Sequence, residues 1–417
     1  MNSATEREAF AARIAARQSE VVALCQELIR IDSQNPPSDT TLLVDKVESV
    51  FADSVDIECR RISPKPPIVN LVAKVKGKTP GRRLVFNGHL DTFPIGDEQN
   101  WTVKPLSGEL RQGKVFGRGA CDMKSGVAAS VMAFRLLAEF RDSWTGEAVL
   151  TLVGDEETGG TWGTEYLLGH IDDATGDAMI NGDTGSPEIV RFGEKGLVWL
   201  NLQSTGQAGH GAHVHLGRNA ILSLLKGIAP VLDLEQHRCS IPSQISQTVQ
   251  EADRTYKSMG IEGEADTVLR ITVNLGQISG GININTIPDN GSALLDIRIP
   301  PGTTTEEILG LITPELDQLP DLEWNISTSC EANWTDPDSE IIALTRANAS
   351  AVLNKEVTSS LRPGFSDARF YRQKDVPSVV YGVTPHNMGA ADEFATVEDI
   401  QTVFAVHALT AFDFLSR

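Results

Sequence analysis

Five short segments, scattered through 417 residues, each carry a side chain suited to a hard or borderline divalent metal. They are Asn87-Gly88-His89-Leu90-Asp91, Cys121-Asp122-Met123, Asp155-Glu156-Glu157-Thr158-Gly159-Gly160, Asn181-Gly182-Asp183 and Thr384-Pro385-His386. Two imidazoles and three carboxylates suffice for two zinc-like ions, if one carboxylate bridges and each ion keeps one further carboxylate and one His. That count leaves Glu156 and Asp91 over. A pair of such ions activates water for hydrolysis, and a spare carboxylate beside it can move protons.

The elements that must position these residues can be read locally. Leu84-Val85-Phe86 is an apolar run that stops at Asn87-Gly88, so His89 and Asp91 are expected where a strand ends. Two residues apart on extended chain, they point to one side. Asp91 is thus placed to accept the second ring N–H of His89 rather than to hold metal. Val149 to Val153 is a second buried-strand pattern running into Gly154. Adjacent residues on extended backbone face opposite ways, so Glu156 and Glu157 divide into one ligand and one base. Asp122 follows Gly117-Arg118-Gly119-Ala120 and precedes the helix-like stretch from Val127 to Leu137, which predicts a loop before a helix. A thiolate ligand at Cys121 is disfavoured, because on extended chain it points away from Asp122. Any one of these acids alone reads as a solvated loop residue; the recurrence of ligand types in five segments is what favours a metal site. Neither glycine-rich stretch is a phosphate loop, since no Gly-Lys-Ser/Thr follows.

In order and wording the segments resemble the di-zinc amidohydrolases that include acetylornithine deacetylase, succinyl-diaminopimelate desuccinylase, aminoacylase and glutamate carboxypeptidase, over nearly the whole chain. The resemblance implies that Asp122 bridges two ions, that His89 and Asp183 complete one, and that Glu157 and His386 complete the other. Zinc is the implied metal, with cobalt or manganese accepting the same ligands. Glu156 becomes the general base. Within Gly209-His210-Gly211-Ala212-His213-Val214-His215, the resemblance puts His210 where it stabilises the tetrahedral oxyanion, commonly in a partner subunit's site. A separate metal site or a solvated loop is the alternative for these histidines. Gly280 to Asp289 and Arg298 resemble substrate-binding strands, with Arg298 clamping a substrate carboxylate and Asn285 adding a hydrogen bond. A salt bridge to a neighbouring acid on the sheet is the competing reading of Arg298. Gly364, in Gly364-Phe365-Ser366-Asp367-Ala368-Arg369, matches a loop near the site where substrate backbone can approach. The implied activity is hydrolysis of the amide bond of an N-acyl amino acid or a related small substrate with a free carboxylate. A di- or tripeptidase or carboxypeptidase, and a non-catalytic metal- and ligand-binding relative, are the alternatives; the presence of Glu156 speaks against the last.

Composition fits a globular enzyme: 41% hydrophobic and 22% charged residues, with length enough for two domains. A formal charge of −20 argues against nucleic acid as partner. No apolar run spans a membrane, and residues 1–20 are charged and amphipathic without a signal-peptide core, so a cytoplasmic location is expected. Five cysteines without metal or redox spacing suit a reducing compartment. The expected class is α/β: a two-part catalytic domain, residues 1–187 and 306–417, with a central mixed sheet flanked by helices. A smaller α+β lid, residues 188–305, interrupts it and by resemblance mediates a homodimer. Residues 236–268, polar and without regular pattern, read as an insertion in the lid.

Overall fold

The computed structural model describes residues 3–54 and 56–417. The chain divides into two compact units, one of residues up to 193 with 335–360 and 366–417, the other of residues 194–334 with 361–365.

The first unit is built on a mixed sheet in which the strands Glu147–Val153, Arg83–His89, Ala178–Asn181 and Ser378–Val380 lie side by side and parallel. Antiparallel strands extend it, Asn70–Lys76 and Glu58–Ile62 on one side and Ile189–Glu194 on the other. Parallel strands are covered on both faces, which explains why Ala148 to Val153 is an unbroken buried run. The helix Ser125–Glu139 is buried from Ser125 through Phe134, as an element wedged between a sheet and outer helices must be. One of those outer helices, Val397–Leu415, is itself buried along most of its length. The chain opens with two helices, Ser3–Ala16 and Gln18–Ile29, broken at Arg17.

The second unit holds a four-stranded antiparallel sheet in the order Thr272–Gly280, Asn290–Ile299, Gly196–Thr205, Leu322–Cys330. Alternate residues Val198, Leu200 and Leu202 and Ala293, Leu295 and Ile297 face one core, covered by the helices Ala220–Asp233 and Thr305–Leu316. Each fully buried aliphatic side chain there contributes roughly 1.5–3 kcal/mol.

The boundaries expected at 187/188 and 305/306 fall instead at 193/194 and 334/335. Residues 306–334 do not return to the first unit. Ile308, Ile312 and Leu316 make an apolar stripe buried by the second unit's sheet, and Leu322–Cys330 supplies that sheet's edge. Residues 236–268 are not irregular either, because they contain the helices Ser243–Glu251, Asp253–Ser258 and Glu264–Val268. Their apolar positions are few, and Ile245, Val249, Tyr256 and Val268 among them are buried. Among the described residues no helix is long and apolar enough to cross a membrane.

Candidate metal centre

The parallel strands of the first unit end together, and their carboxyl ends carry the candidate ligands. His89 is the last residue of its strand, Glu156 and Glu157 follow Val153, Asp183 follows Asn181, and His386 follows Val380 by six residues. The carboxyl edge of a parallel sheet is where such folds gather loops around a ligand. Asp122 enters from the loop before Ser125–Glu139, with extended dihedrals of φ −119° and ψ 96° inside a tight turn.

His89, Asp122 and Asp183 come together: one ligand atom from each lies within 4.8 Å of the others. His89 Nδ1 is 2.9 Å from the main-chain oxygen of Asp91 and donates to it, which turns the Nε2 lone pair toward Asp122 Oδ1 at 3.0 Å. Two acceptors at that distance need a proton or a cation between them. Burial alone would push the imidazole down, but the carboxylates of Asp122 and Asp91 outweigh it and hold His89 well above the ordinary histidine range. Burial drives Glu156 well above the usual carboxyl range, opposed by His89 and reinforced by Asp183. Glu157 is pushed up to about 10 by burial and by the Asp122 carboxylate. Its Oε1 is buried with no hydrogen-bond partner among the described residues. Crowded, buried carboxylates with an orphaned oxygen are what a divalent cation relieves, so the mixed imidazole and carboxylate donors fit a metal of the zinc type.

Asp91 is fully buried beside the triad, but its role differs from expectation. The ring of His89 binds its main-chain oxygen, while the carboxylate sits 3.6 Å from Nδ1, beyond hydrogen-bond reach. That carboxylate instead accepts the main-chain N–H of Glu156 at 3.2 Å and of Glu157 at 3.1 Å, and the Asn35 amide at 2.8 Å. It therefore braces the turn that carries the two glutamates. That turn is a single 3-10 turn rather than extended chain, so opposite faces of a strand do not separate Glu156 from Glu157. The separation is made by neighbours: Glu156 Oε1 lies 3.9 Å from Arg369 Nη1, and Glu157 faces Asp122.

His386 stacks flat on Phe394, rings 4.3 Å apart, and its main-chain oxygen accepts the Cys121 thiol at 3.8 Å. The Asp122 loop and the His386 segment are thus in contact, although His386 and Glu157 stand outside the 4.8 Å triad. Burial raises the Cys121 thiol well above its ordinary range, and it points to Glu393 and His386, not to the triad.

In the second unit His210 is exposed and pairs with Thr286, and Gly211 N donates to Asn285 O at 2.7 Å, so His210 and Asn285 are neighbours. Arg298 is not with them. It pairs with Thr272 and Leu197 at one end of the sheet, while Asn285 lies in the connection leaving the other end, after Gly280. A joint clamp within one chain is therefore ruled out. Asp296, two residues earlier on the same strand face, takes Arg298 Nε at 2.8 Å and Nη2 at 3.0 Å. Arg298 Nη1 has no hydrogen-bond partner among the described residues. Gly364 borders open space, since an added Cβ would meet only Arg362 Nη2 at 3.9 Å. Asn35 acts on the site without a sequence signal, because it follows no apolar strand run, and Arg369 is signalled only as the end of the segment that begins at Gly364.

The fold and the site define a metal-dependent hydrolase of amide C–N bonds. The model of the peptidase family M20/M25/M40 matches residues 85–413, and the chain belongs to that family. Succinyl-diaminopimelate desuccinylase 1 of Ruegeria sp. (strain TM1040) is 28% identical over 411 residues, 95% of this chain and 99% of that protein. Among solved structures, the M20 metallo-carboxypeptidase Sso-CP2 of Sulfolobus solfataricus superposes with a TM-score of 0.78 at 17% identity, over 95% of this chain and 100% of that one. The Bacillus subtilis YXEP protein, described as a dinuclear metal-binding peptidase of the M20 family, superposes at 0.67 with 13% identity, over 96% and 99%.

Proposed function

We propose that this chain hydrolyses the amide bond of an N-acyl amino acid whose carboxylate is free, with N-succinyl substrates first. The observation that supports it most is the buried meeting of His89, Asp122 and Asp183, with Glu156 in electrostatic reach of His89 and Asp183. The end-to-end match to a desuccinylase favours the succinyl group. Two divalent ions, zinc before cobalt or manganese, held by His89 and Asp183, by Glu157 and His386, and by Asp122 between them, would supply an activated water and polarise the scissile carbonyl.

The residues do the rest. Glu156 takes the proton of the attacking water and returns it to the leaving amine nitrogen. Arg369, 3.9 Å away, favours its carboxylate form, and Asp91 holds its main chain in place. His210 donates to the oxyanion, and Arg298 offers Nη1 to the substrate carboxylate. A cytoplasmic homodimer formed through the second unit completes the reading. Its support is the open edge strand Thr272–Gly280, the exposed Ile278, Ile282 and Ile284 nearby, and five free cysteines.

The test is turnover of metal-loaded protein on N-succinyl, N-acetyl and N-carbamoyl amino acids, their methyl esters, and dipeptides. The expected result is cleavage of at least one N-acyl amino acid and poor cleavage of its ester. Cleavage of dipeptides alone would assign a peptidase, and no turnover by metal-loaded protein a binding relative.

A further inference from the structure

A buried ion pair outside the ligand set joins the two chain segments that carry Asp122 and His386. Arg118 precedes Asp122 by four residues, Glu393 follows His386 by seven, and each is 1% exposed. Glu393 Oε2 accepts Arg118 Nη1 at 2.6 Å. Its Oε1 accepts the main-chain N–H of Cys121 at 3.0 Å and of Asp122 at 3.3 Å, with the Cys121 thiol at 3.4 Å. Arg118 Nη2 in turn donates to Gly389 O at 3.1 Å, within the segment that follows His386. Main chain ties the same pieces, since Gly117 N donates to Glu393 O and the strand Phe394–Thr396 pairs with Lys114–Phe116. Phe394, the residue after Glu393, is the ring on which His386 stacks.

A buried ion pair is by itself weak evidence of a stabilising role, because desolvation offsets the attraction. What distinguishes Glu393 is the use of Oε1. It serves two successive N–H groups in a turn whose residue 122 has extended dihedrals, so no helical carbonyl takes that role there. Without that acceptor the buried N–H of Cys121 and the part-buried N–H of Asp122 are unmet, and the loop shifts to find partners. Asp122 shifts with it, relative to a histidine seated one residue from the same glutamate.

We propose that Glu393, held by Arg118, is a positioning residue that sets Asp122 against His386, so that its loss weakens the metal position these two share more than the one Asp122 shares with His89 and Asp183. The inference rests on the two-ion allotment under Proposed function. Its test is calorimetric titration of Zn²⁺ into metal-free wild type and two charge-neutral double variants. Arg118→Met with Glu393→Leu removes the acceptor without stranding a charge, whereas Arg118→Met with Glu393→Gln keeps one carbonyl oxygen for the same N–H groups. In the Leu variant one ion binds about 10–100-fold more weakly, the range for residues that orient ligands, and the other loses less; the Gln variant recovers most of that loss. Wild-type affinity in both variants, or equal loss in both, overturns the inference. So does failure of the Leu variant to fold, which assigns the pair to stability alone. A wild type that binds a single ion refutes the allotment itself and the inference with it, whereas two ions bound by both variants with wild-type affinity refute the inference only.

Discussion

Glu156 stands apart from the His89, Asp122 and Asp183 triad and is held by its neighbours, its N–H on Asp91 and its carboxylate 3.9 Å from Arg369. Proton transfer and metal retention are therefore separable at this residue. Glu156→Gln is expected to keep the metal content of wild type and to lower kcat by at least ~10²-fold, the low end for loss of a general base. Elemental analysis beside steady-state kinetics decides it, since metal loss equal to that of Asp122→Ala would move Glu156 into the ligand set. The triad itself is legible in the sequence because each member sits at a chain reversal, two right after an apolar strand run and one just before a helix. The partner of the Asp91 carboxylate is not legible. It depends on three donors brought from residues 35, 156 and 157, and strand alternation says nothing about a turn. Arg298 is legible as a choice of two readings, and the salt bridge to a neighbouring acid on the sheet is the one it makes, with Asp296 two residues away.

At the scale of elements, the position of Asp183 depends on how closely two backbones approach. The helix Ser125–Glu139 begins against the end of strand Ala178–Asn181, and a Cβ at Gly126 would lie 1.9 Å from Gly182 O. No side-chain rotation relieves a clash with a main-chain oxygen, so the helix or the strand end must move. Gly126→Ala is expected to destabilise at or above the upper end of the ~1–3 kcal/mol typical of overpacking, and to weaken metal binding. Gly169→Ala, in the helix Thr164–His170 with nothing within 4 Å of the new Cβ, is the control and should be neutral or stabilising. Equal denaturation midpoints for the two variants would count against the close-approach argument. The strand Thr272–Gly280 raises a different question, since it ends the second unit's sheet with Ile278 half exposed. A charged residue on an edge blocks strand pairing, so Ile278→Lys should turn the proposed dimer into a monomer by light scattering. An unchanged mass would move the contact elsewhere. The strands of this unit are legible from alternation, whereas its three short helices are not, because each buries only one or two apolar residues and leaves too little periodicity to read.

For the whole molecule, the first unit is assembled from three separate stretches of chain, and the sequence shows why it must be interrupted but not where. His386 has to return to the sheet that ends in His89, yet the return point depends on which sheet buries the stripe of Ile308, Ile312 and Leu316. One buried residue links the late and early stretches. His407, on the helix Val397–Leu415, donates from Nε2 to Tyr381 O at 2.7 Å and faces Ser130 Oγ from Nδ1 at 3.2 Å. Burial lowers this imidazole to about 4, with the bond to Tyr381 opposing it in part. In the unfolded chain the group titrates near ~6.5. Between those values the unfolded state takes up a proton that the folded state refuses, so stability is full above about 6.5 and falls as pH drops toward about 4, by up to about 3 kcal/mol. Other acids titrate over the same range, but a comparison with His407→Gln, whose amide can donate to Tyr381 O and does not titrate, cancels them. From pH ~7 to ~5, wild type should lose about 2 kcal/mol more than His407→Gln in urea unfolding at matched metal content. Parallel losses in the two proteins would mean that His407 takes up its proton in the fold over the same pH range as in the unfolded chain, and that the junction of the late and early stretches tolerates a charge.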